Sequence, residues 1–358
     1  MFKPLEIQSH KGIYSVTFYE SLEIFFKSNK FELSGKHFLI DSRIRELYRP
    51  QLVHILNNPN VILIEAKEEN KTLENIIPVL ENLVKNKIRR DEELVAIGGG
   101  VIQDITCFIA SILLRGISWS FFPTTLLAQA DSCIGSKSSI NIKSAKNILG
   151  TFYPPRAIFI ISEFLNTLER RDLQSGIGEI IKVHAIESWE KFEELSRDFD
   201  QILENRNILL RYIDSALKIK KKYIEIDEFD RGIRNIFNYG HSFGHAIESA
   251  TNFGIPHGIA VTIGMDMANF IASKREMISS VQYLRMHEVL EKNYRGFTNV
   301  EIPLDKLIDA LGKDKKNTRT MLGLIFPVGE NAKIEKLKIQ NDSMFYEQCK
   351  LFLEKIKK

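Results

Sequence analysis

Cysteine is scarce: Cys107, Cys133 and Cys349 form an odd, widely spaced set in 358 residues, which argues against a disulfide framework and gives no metal-ligand spacing. The three read as small hydrophobes, with Cys133 close to a candidate site. Long apolar runs are missing too. The longest, Ile105 to Leu114, stops at Arg115, well short of the about 20 residues that cross a bilayer, so it reads as a buried helix. No charge of one sign dominates, since 49 Lys+Arg against 46 Asp+Glu leave a net charge of +3. That is too little to imply a nucleic-acid partner. The amino terminus, Met1-Phe-Lys-Pro-Leu-Glu, lacks the basic-then-apolar pattern of a secretory signal, and the expectation is a cytoplasmic protein. Low-complexity tracts and internal repeats are also absent.

What remains is a mix of 44% hydrophobic and 27% charged residues, enough to bury a core and stay soluble, in a chain whose length favours two domains. The first half alternates β-rich runs with helical patterns: Phe38-Leu-Ile, Val61-Ile-Leu-Ile, and Leu94-Val-Ala-Ile directly before three glycines. Between the last two, Leu73, Ile76, Ile77, Leu80, Leu83 and Val84 recur at helical spacing, with Pro78 expected to kink or shorten that helix. This βαβ rhythm predicts a parallel sheet in an α/β, Rossmann-like nucleotide-binding domain. From about Phe164 onward helical periodicity dominates. The expected division is 1–170 for the nucleotide-binding domain and 171–358 for a mostly helical domain, after the extended run Ala157-Ile-Phe-Ile-Ile.

Several constellations carry chemistry. Gly98-Gly99-Gly100 ends a β run and opens a helix, so backbone amides and the positive helix end suit a pyrophosphate, although a triple glycine is also the ordinary form of a tight strand-to-helix turn. Asp41, at the end of the Phe38 run, suits a ribose hydroxyl or a simple helix cap. His241-Ser-Phe-Gly-His245 places two imidazoles one helical turn apart, and His257 follows in Pro256-His257-Gly258. Three of the eight histidines so close together can converge on a metal. Glu179, with Lys182 one turn later, offers a carboxylate ligand or an ordinary salt bridge. The polar run from Asp131 to Asn147, with Lys137 and Lys146, looks like an anion-binding loop, or a solvated surface.

Taken together, Gly98-Gly-Gly-Val-Ile-Gln-Asp104, Pro123-Thr-Thr-Leu-Leu-Ala-Gln-Ala-Asp131, Gly178-Glu-Ile-Ile-Lys182 and Asn238-Tyr-Gly-His-Ser-Phe-Gly-His245-Ala-Ile-Glu resemble the 3-dehydroquinate synthase family of sugar phosphate cyclases. The resemblance runs in order from about Asp41 to Pro327. It implies a Rossmann-like domain joined to a mainly α-helical metal-binding domain. It further implies that Glu179, His241 and His257 ligate a divalent metal, zinc foremost and cobalt as the alternative, while His245 stays free as an acid/base group contacting substrate. NAD contacts would fall on Asp41, Glu68, Lys71, Gly99, Gly100, Asp104, Thr124, Thr125, Lys137 and Lys146. The substrate phosphate would meet Lys137, Asn147, His245 and Lys315 or Lys316, with Arg115 reaching in from a second subunit of a homodimer. The substrate carboxylate would meet Lys220, Arg234 and Asn238, and Asp131 and Lys182 would hold ring hydroxyls.

The activity implied is a carbon–oxygen lyase reaction on a sugar-acid phosphate, 3-deoxy-D-arabino-heptulosonate 7-phosphate, through transient NAD oxidation, phosphate loss, re-reduction and aldol closure. No nucleic acid or membrane enters. Three positions depart from the family pattern: Gln103 and Ser136 stand where glycines are usual, and Ile259 stands where a glutamate usually follows His257-Gly258. Loss of a carboxylate beside a metal ligand weakens metal binding or changes the substrate. The alternatives are therefore a specialised cyclase of amino-dehydroquinate, deoxy-inosose or valiolone type, or a metal-dependent polyol dehydrogenase of the same architecture. Retained Arg234 and Asn238 argue against carboxylate-free substrates, and the lysine-rich phosphate loop argues against the dehydrogenase.

Overall fold

The computed structural model describes residues 2–143, 145–313 and 320–357. The chain divides into two units, Met1–Glu169 with Lys220–Asp230, and Arg170–Ile219 with Arg231–Lys358.

In the first unit the strands are β1 (Leu5–Ser9), β2 (Gly12–Tyr19), β3 (Lys36–Asp41), β4 (Val61–Ile64), β5 (Glu93–Gly98), β6 (Ser118–Pro123), β7 (Lys137–Ile142), β8 (Ala145–Phe152) and β9 (Ala157–Ile161). Its helices are α1 (Leu22–Ser28), α2 (Ser42–Leu47), α3 (Val53–Leu56), α4 (Leu73–Lys85) and α5 (Gly100–Ile112). Phe38 to Ile40, Leu94 to Ile97 and Trp119 to Phe122 are almost solvent-free, as expected of apolar runs in a sheet covered on both faces. The sheet order is β1-β2-β9-β6-β5-β3-β4. All pairings are parallel except β1 with β2, a hairpin that the sequence reading missed.

The chain leaves β3 toward one edge, through β4, and leaves β5 toward the other, through β6. The order therefore reverses between β3 and β5, and ligands of open α/β sheets bind outside the carboxyl ends of strands at such a switch point. Asp41 ends β3 and Gly98 ends β5, so both stand at that point.

Two expectations are corrected here. Helix α4 runs on to Lys85, so Pro78 does not shorten it. The bond that proline forgoes is to the carbonyl of Glu74, on an exposed part of the helix where water can satisfy it. The run from Asp131 to Asn147 is not a surface loop throughout. Its second half enters an antiparallel hairpin, β7 with β8, whose Ser138, Ile140 and Asn141 are buried.

The second unit is built from α6 (Arg170–Glu187), α7 (Trp189–Ile202), most of α8 (Arg206–Ile226), α9 (His241–Ala250), α10 (His257–Lys274), α11 (Ser280–Tyr294), α12 (Leu304–Gly312) and α13 (Ser343–Ile356), with one antiparallel pair, β10 (Met321–Val328) and β11 (Lys333–Gln340). Helix α10 is buried on every face from Gly258 to Ala272, the pattern of a central helix. No described helix is long and apolar enough to cross a membrane.

The end of α8 and the turn after it, Lys220–Asp230, group with the first unit although the sequence reading placed them in the helical half. The β1–β2 turn holds them: the Gln8 amide donates to Glu225 Oε1 at 2.9 Å, the His10 amide donates to Glu228 Oε2 at 2.8 Å, and the Phe229 ring lies 5.3 Å from His10 and 5.0 Å from Phe152.

Candidate active site and metal centre

Two helix crossings in the second unit allow the metal-ligand candidates to meet. A Cβ on Gly178 would lie 2.3 Å from the Gly258 carbonyl oxygen, and one on Gly258 would lie 1.9 Å from the Ser175 carbonyl. Helices α6 and α10 therefore touch backbone to backbone, with Glu179 directly after Gly178 and His257 directly before Gly258. On the other side of α10, a Cβ on Gly264 would lie 2.2 Å from the Gly240 carbonyl, which brings in the start of α9 and His241.

The result is a cluster in which one donor atom each from Glu179, His241 and His257 lies within 4.8 Å of the others. Glu179 Oε1 is 3.7 Å from His241 Nε2 and 3.6 Å from His257 Nε2. These spacings are too long for hydrogen bonds. They are close to the about 3.3 Å that separates donors on a tetrahedral ion with bonds of about 2.0–2.1 Å.

The other ring nitrogens fix the tautomers. His241 Nδ1 faces the Tyr239 carbonyl oxygen at 3.3 Å and His257 Nδ1 faces Glu248 Oε2 at 3.1 Å. Both partners only accept, so Nδ1 carries the proton in each ring and the Nε2 lone pair points to the cluster. Burial, followed by the nearby Lys182 charge, holds His241 well below its usual range, keeping it in the neutral form a metal requires. Burial also acts downward on His257, but the Glu248 hydrogen bond and charge outweigh it and the group ends above its usual value. Glu179 Oε2 pairs with Lys182, and both side chains are almost wholly buried.

A second grouping, His245 with Glu248 and His257, also satisfies the distance criterion. It draws on the same His257, and its His245 is exposed, whereas Glu179 is buried, so the Glu179 set is the better cation site. Glu248 was not singled out from sequence. It supplies the carboxylate partner of His257, so the buried Ile259 does not leave that ring unsupported. Its signal was its place in the quoted His241-to-Glu248 motif, two turns along one helical face.

In the first unit a polar network gathers several nucleotide candidates. Lys71 Nζ donates to Asp104 Oδ2 at 3.0 Å and to Asn147 Oδ1 at 3.1 Å, and pairs with Glu68 at 3.2 Å. Asp104 also accepts from the Ser139 amide and hydroxyl at 3.1 and 3.2 Å, and Asn141 donates to Glu68 Oε1 at 2.9 Å. Ser139 and Asn141 were missed because their role depends on the hairpin. Burial raises the Asp104 carboxyl, against the lowering pull of Lys71. Burial lowers the Lys71 ammonium, but Asp104 and Glu68 outweigh it and the group ends raised.

Gly99 caps α5 without a side chain, and a Cβ on Gly100 would meet nothing among the described residues closer than Ser132 Oγ at 4.0 Å. The buried Thr124 hydroxyl has no hydrogen-bond partner among the described residues, whereas Thr125 Oγ1 accepts from the Ala128 amide at 3.2 Å. An open helix end, a buried hydroxyl awaiting a partner and the switch point together fit a dinucleotide pyrophosphate. Asp41 acts as the cap of α2, accepting from the Arg43 amide at 3.0 Å, and burial raises its carboxyl.

Asp131 lies in a π-helical turn, Ala128–Ser132. Its Oδ1 pairs with Lys220 Nζ at 2.9 Å and its carbonyl accepts from the same ammonium at 2.5 Å. Gln103 Nε2 donates to the Ser132 carbonyl at 2.6 Å and Gln103 Oε1 accepts from the Ser132 hydroxyl at 2.7 Å, so this departure from the family pattern ties α5 to that turn. Cys133, next in sequence, is buried and its thiol is pushed up to about 12 by burial.

Lys137 opens β7 and pairs with Asp230. Lys146 is exposed on β8, and Arg115 is exposed in a left-handed conformation just past α5. Arg234 is buried, and Asn238 donates to the Asn235 carbonyl at 3.0 Å, both within one short 3-10 helix, Ile233–Asn238, of the second unit. Lys313 pairs with Asp309 at the surface, and Lys315 and Lys316 lie outside the described residues.

Residues 61–175 match the family model for the 3-dehydroquinate synthase N-terminal domain and residues 176–317 match the model for its C-terminal domain. A 3-dehydroquinate synthase of Dictyoglomus turgidum is 39% identical over 288 residues, covering 79% of this chain and 80% of its own length. One from Campylobacter curvus is 35% identical over 319 residues, covering 88% and 91%. Among solved structures, a 2-deoxy-scyllo-inosose synthase complexed with carbaglucose-6-phosphate, NAD+ and Co2+ superposes with a TM-score of 0.83 at 22% identity, covering 98% of this chain and 100% of that one. At that identity the likeness speaks for the fold.

Proposed function

Because the chain belongs to the 3-dehydroquinate synthase family, we propose that it is a 3-dehydroquinate synthase, a carbon–oxygen lyase that turns 3-deoxy-D-arabino-heptulosonate 7-phosphate into 3-dehydroquinate and phosphate. The observation that carries the reading is the convergence of Glu179, His241 and His257, with both imidazoles in the tautomer that presents Nε2. NAD and a divalent cation, zinc or cobalt, would together supply transient oxidation of a secondary alcohol and polarisation of the carbonyl produced, which acidifies the neighbouring C–H.

The chain's own residues have the remaining work. Glu179, His241 and His257 would hold the cation. Gly99, Gly100 and Thr124 would hold the pyrophosphate, with Asp41, Glu68, Lys71, Asp104, Thr125, Lys137 and Lys146 placing the rest of the dinucleotide. Lys182, buried against Glu179, would keep an ammonium beside the reacting hydroxyls, and Asp131, paired with Lys220, would accept a hydrogen bond from one. His245 would move the proton released on ring opening. Lys137, Asn147 and a lysine at 315 or 316 would stabilise the departing phosphate, with Arg115 contributed by the other subunit of a homodimer. Arg234, Asn238 and Lys220 would fix the substrate carboxylate. A cytoplasmic location suits such an enzyme.

The test is phosphate release by purified protein from 3-deoxy-D-arabino-heptulosonate 7-phosphate with NAD and zinc supplied. Stoichiometric phosphate without lasting absorbance in the reduced-nicotinamide band is expected. Net NADH accumulation with glycerol and no phosphate release would overturn the assignment. An Arg234→Ala enzyme is expected to lose turnover on the acid, and unchanged activity would remove Arg234 from the carboxylate site.

A further inference from the structure

Behind the metal-ligand candidates, α10 buries polar side chains that the proposed reaction does not use. Asp266 and Asn269 are both 0% exposed. Asp266 Oδ2 accepts from the Tyr294 hydroxyl at 2.5 Å and lies 2.7 Å from His287 Nδ1. Asn269 Oδ1 accepts from the Tyr239 hydroxyl, while its Nδ2 has no hydrogen-bond partner among the described residues. A buried amide with one of its groups unsatisfied is unfavourable unless the bond it does make matters.

That bond ends at Tyr239, which is fully buried and stands two residues before His241. The Tyr239 carbonyl takes the Nδ1 proton of His241. Between them Gly240 has φ +76°, and a Cβ there would lie 2.5 Å from Met265 Cγ and 2.6 Å from the Val261 carbonyl oxygen. One end of the turn is thus pressed onto α10 by a glycine that no other L-residue can replace without strain. The other end is pinned to α10 by the phenol. With both held, the carbonyl between them has little freedom to rotate away from the imidazole.

We propose that Asn269 is a positioning residue for His241, acting through the Tyr239 hydroxyl to hold the Tyr239 carbonyl where it fixes the tautomer and ring plane of that ligand. The inference rests on the reading of Glu179, His241 and His257 as a metal centre and adds what orients one of its ligands. Asp266, on the same buried helix, and its partner Tyr294, at the end of α11, make no hydrogen bond to Tyr239 among the described residues, so they serve as the comparison.

The experiment measures zinc affinity of metal-free protein by competition with a chromophoric chelator, together with thermal unfolding of the same metal-free samples. Tyr239→Phe, which removes one oxygen and keeps the ring, and Asn269→Leu are each expected to weaken zinc binding about 10–100-fold, the range for losing support behind a ligand. The double variant is expected to be no weaker than the worse single, because both break one bond. Tyr294→Phe is expected to lower the unfolding temperature and leave zinc affinity unchanged. Wild-type affinity in Tyr239→Phe or Asn269→Leu overturns the proposal, as does independent addition in the double. Equal weakening in Tyr294→Phe also overturns it, since general loosening of the core would then suffice. A wild-type protein that binds no zinc overturns the metal centre first, and this inference with it.

Discussion

Replacing Gly178 by alanine tests whether the backbone contact between α6 and α10 is what assembles the proposed metal centre. The added Cβ would sit 2.3 Å from the Gly258 carbonyl oxygen and 2.4 Å from Thr262 Oγ1. The hydroxyl could rotate aside, but the carbonyl belongs to the first turn of α10 and cannot. A carbon–oxygen contact needs about 3.3 Å, so the helices must part by about 1 Å. Glu179 and His257 move with them, whereas metal–ligand bonds tolerate about 0.2 Å. Overpacking of this kind destabilises by about 1–3 kcal/mol, and a misplacement of about 1 Å at a reacting centre costs about 100-fold in rate. The expected outcome is zinc affinity reduced at least tenfold, on the order seen when a ligand's support is disturbed, with a lower unfolding temperature in the metal-free protein. Gly312→Ala is the control, because nothing among the described residues lies within 4 Å of its Cβ position and the change should be neutral or stabilise by about 0.4–1 kcal/mol. Wild-type zinc affinity and unfolding temperature in Gly178→Ala would refute the argument from helix approach.

Glu248→Gln keeps the shape of the side chain and removes the charge that faces His257 Nδ1 at 3.1 Å; chelator competition should show zinc binding weaker by about 10–100-fold, and an unchanged constant would mean that the carboxylate does not orient the ring. His184 gives a pH dependence: its Nδ1 donates to the Ile180 carbonyl at 2.8 Å and its Nε2 lies 2.9 Å from Ser215 Oγ. Burial, reinforced by the Lys191 charge and opposed by the Ile180 hydrogen bond and the charges of Glu194 and Glu187, pushes this imidazole from 6.5 down to about 4. The folded value is the lower one, so between these limits the unfolded chain binds a proton that the folded chain refuses, and stability falls as pH falls. The full window is worth about 3 kcal/mol at about 1.4 kcal/mol per unit. Urea unfolding at pH 7.5 and pH 5 should show a smaller acid loss for His184→Gln than for the wild type, and parallel pH slopes would sink the assignment.

Much of the first unit was legible because its strands announce themselves by composition. Phe38-Leu39-Ile40 and Leu94 to Ile97 are uncharged, branched or aromatic, and short, and such runs have few alternatives to a doubly covered sheet. The three glycines after β5 marked the strand-to-helix turn at the carboxyl end of that strand for the same local reason. The β7–β8 hairpin was not legible, since Ser139 meets Asp104 of α5, and Asn141 meets Glu68 and Lys71, only once these distant segments are brought together. Pro78 misled because a proline's missing bond matters only where water cannot replace it, and the sequence does not say which side of α4 is wet.

The proposed metal centre shows the same division. Spacing gave two histidines on one helical face and a third nearby, and left open which of His241 and His245 would be a ligand. Glu248 was hidden behind the apparent loss of a carboxylate at Ile259, because the partner of His257 comes from a different helix.

What the chain's order of residues determined by itself was the set of local structures, the α/β and helical halves, and the inventory of donors, all of which depend on periods and motifs within a few turns. What only tertiary structure decided was which donors share a point in space, and which of their faces are already occupied. Contacts between glycines at 178 and 258 and at 240 and 264, far apart along the chain, set the distances among Glu179, His241 and His257. Distances of that kind are fixed by packing to a fraction of an ångström, and no local pattern encodes them.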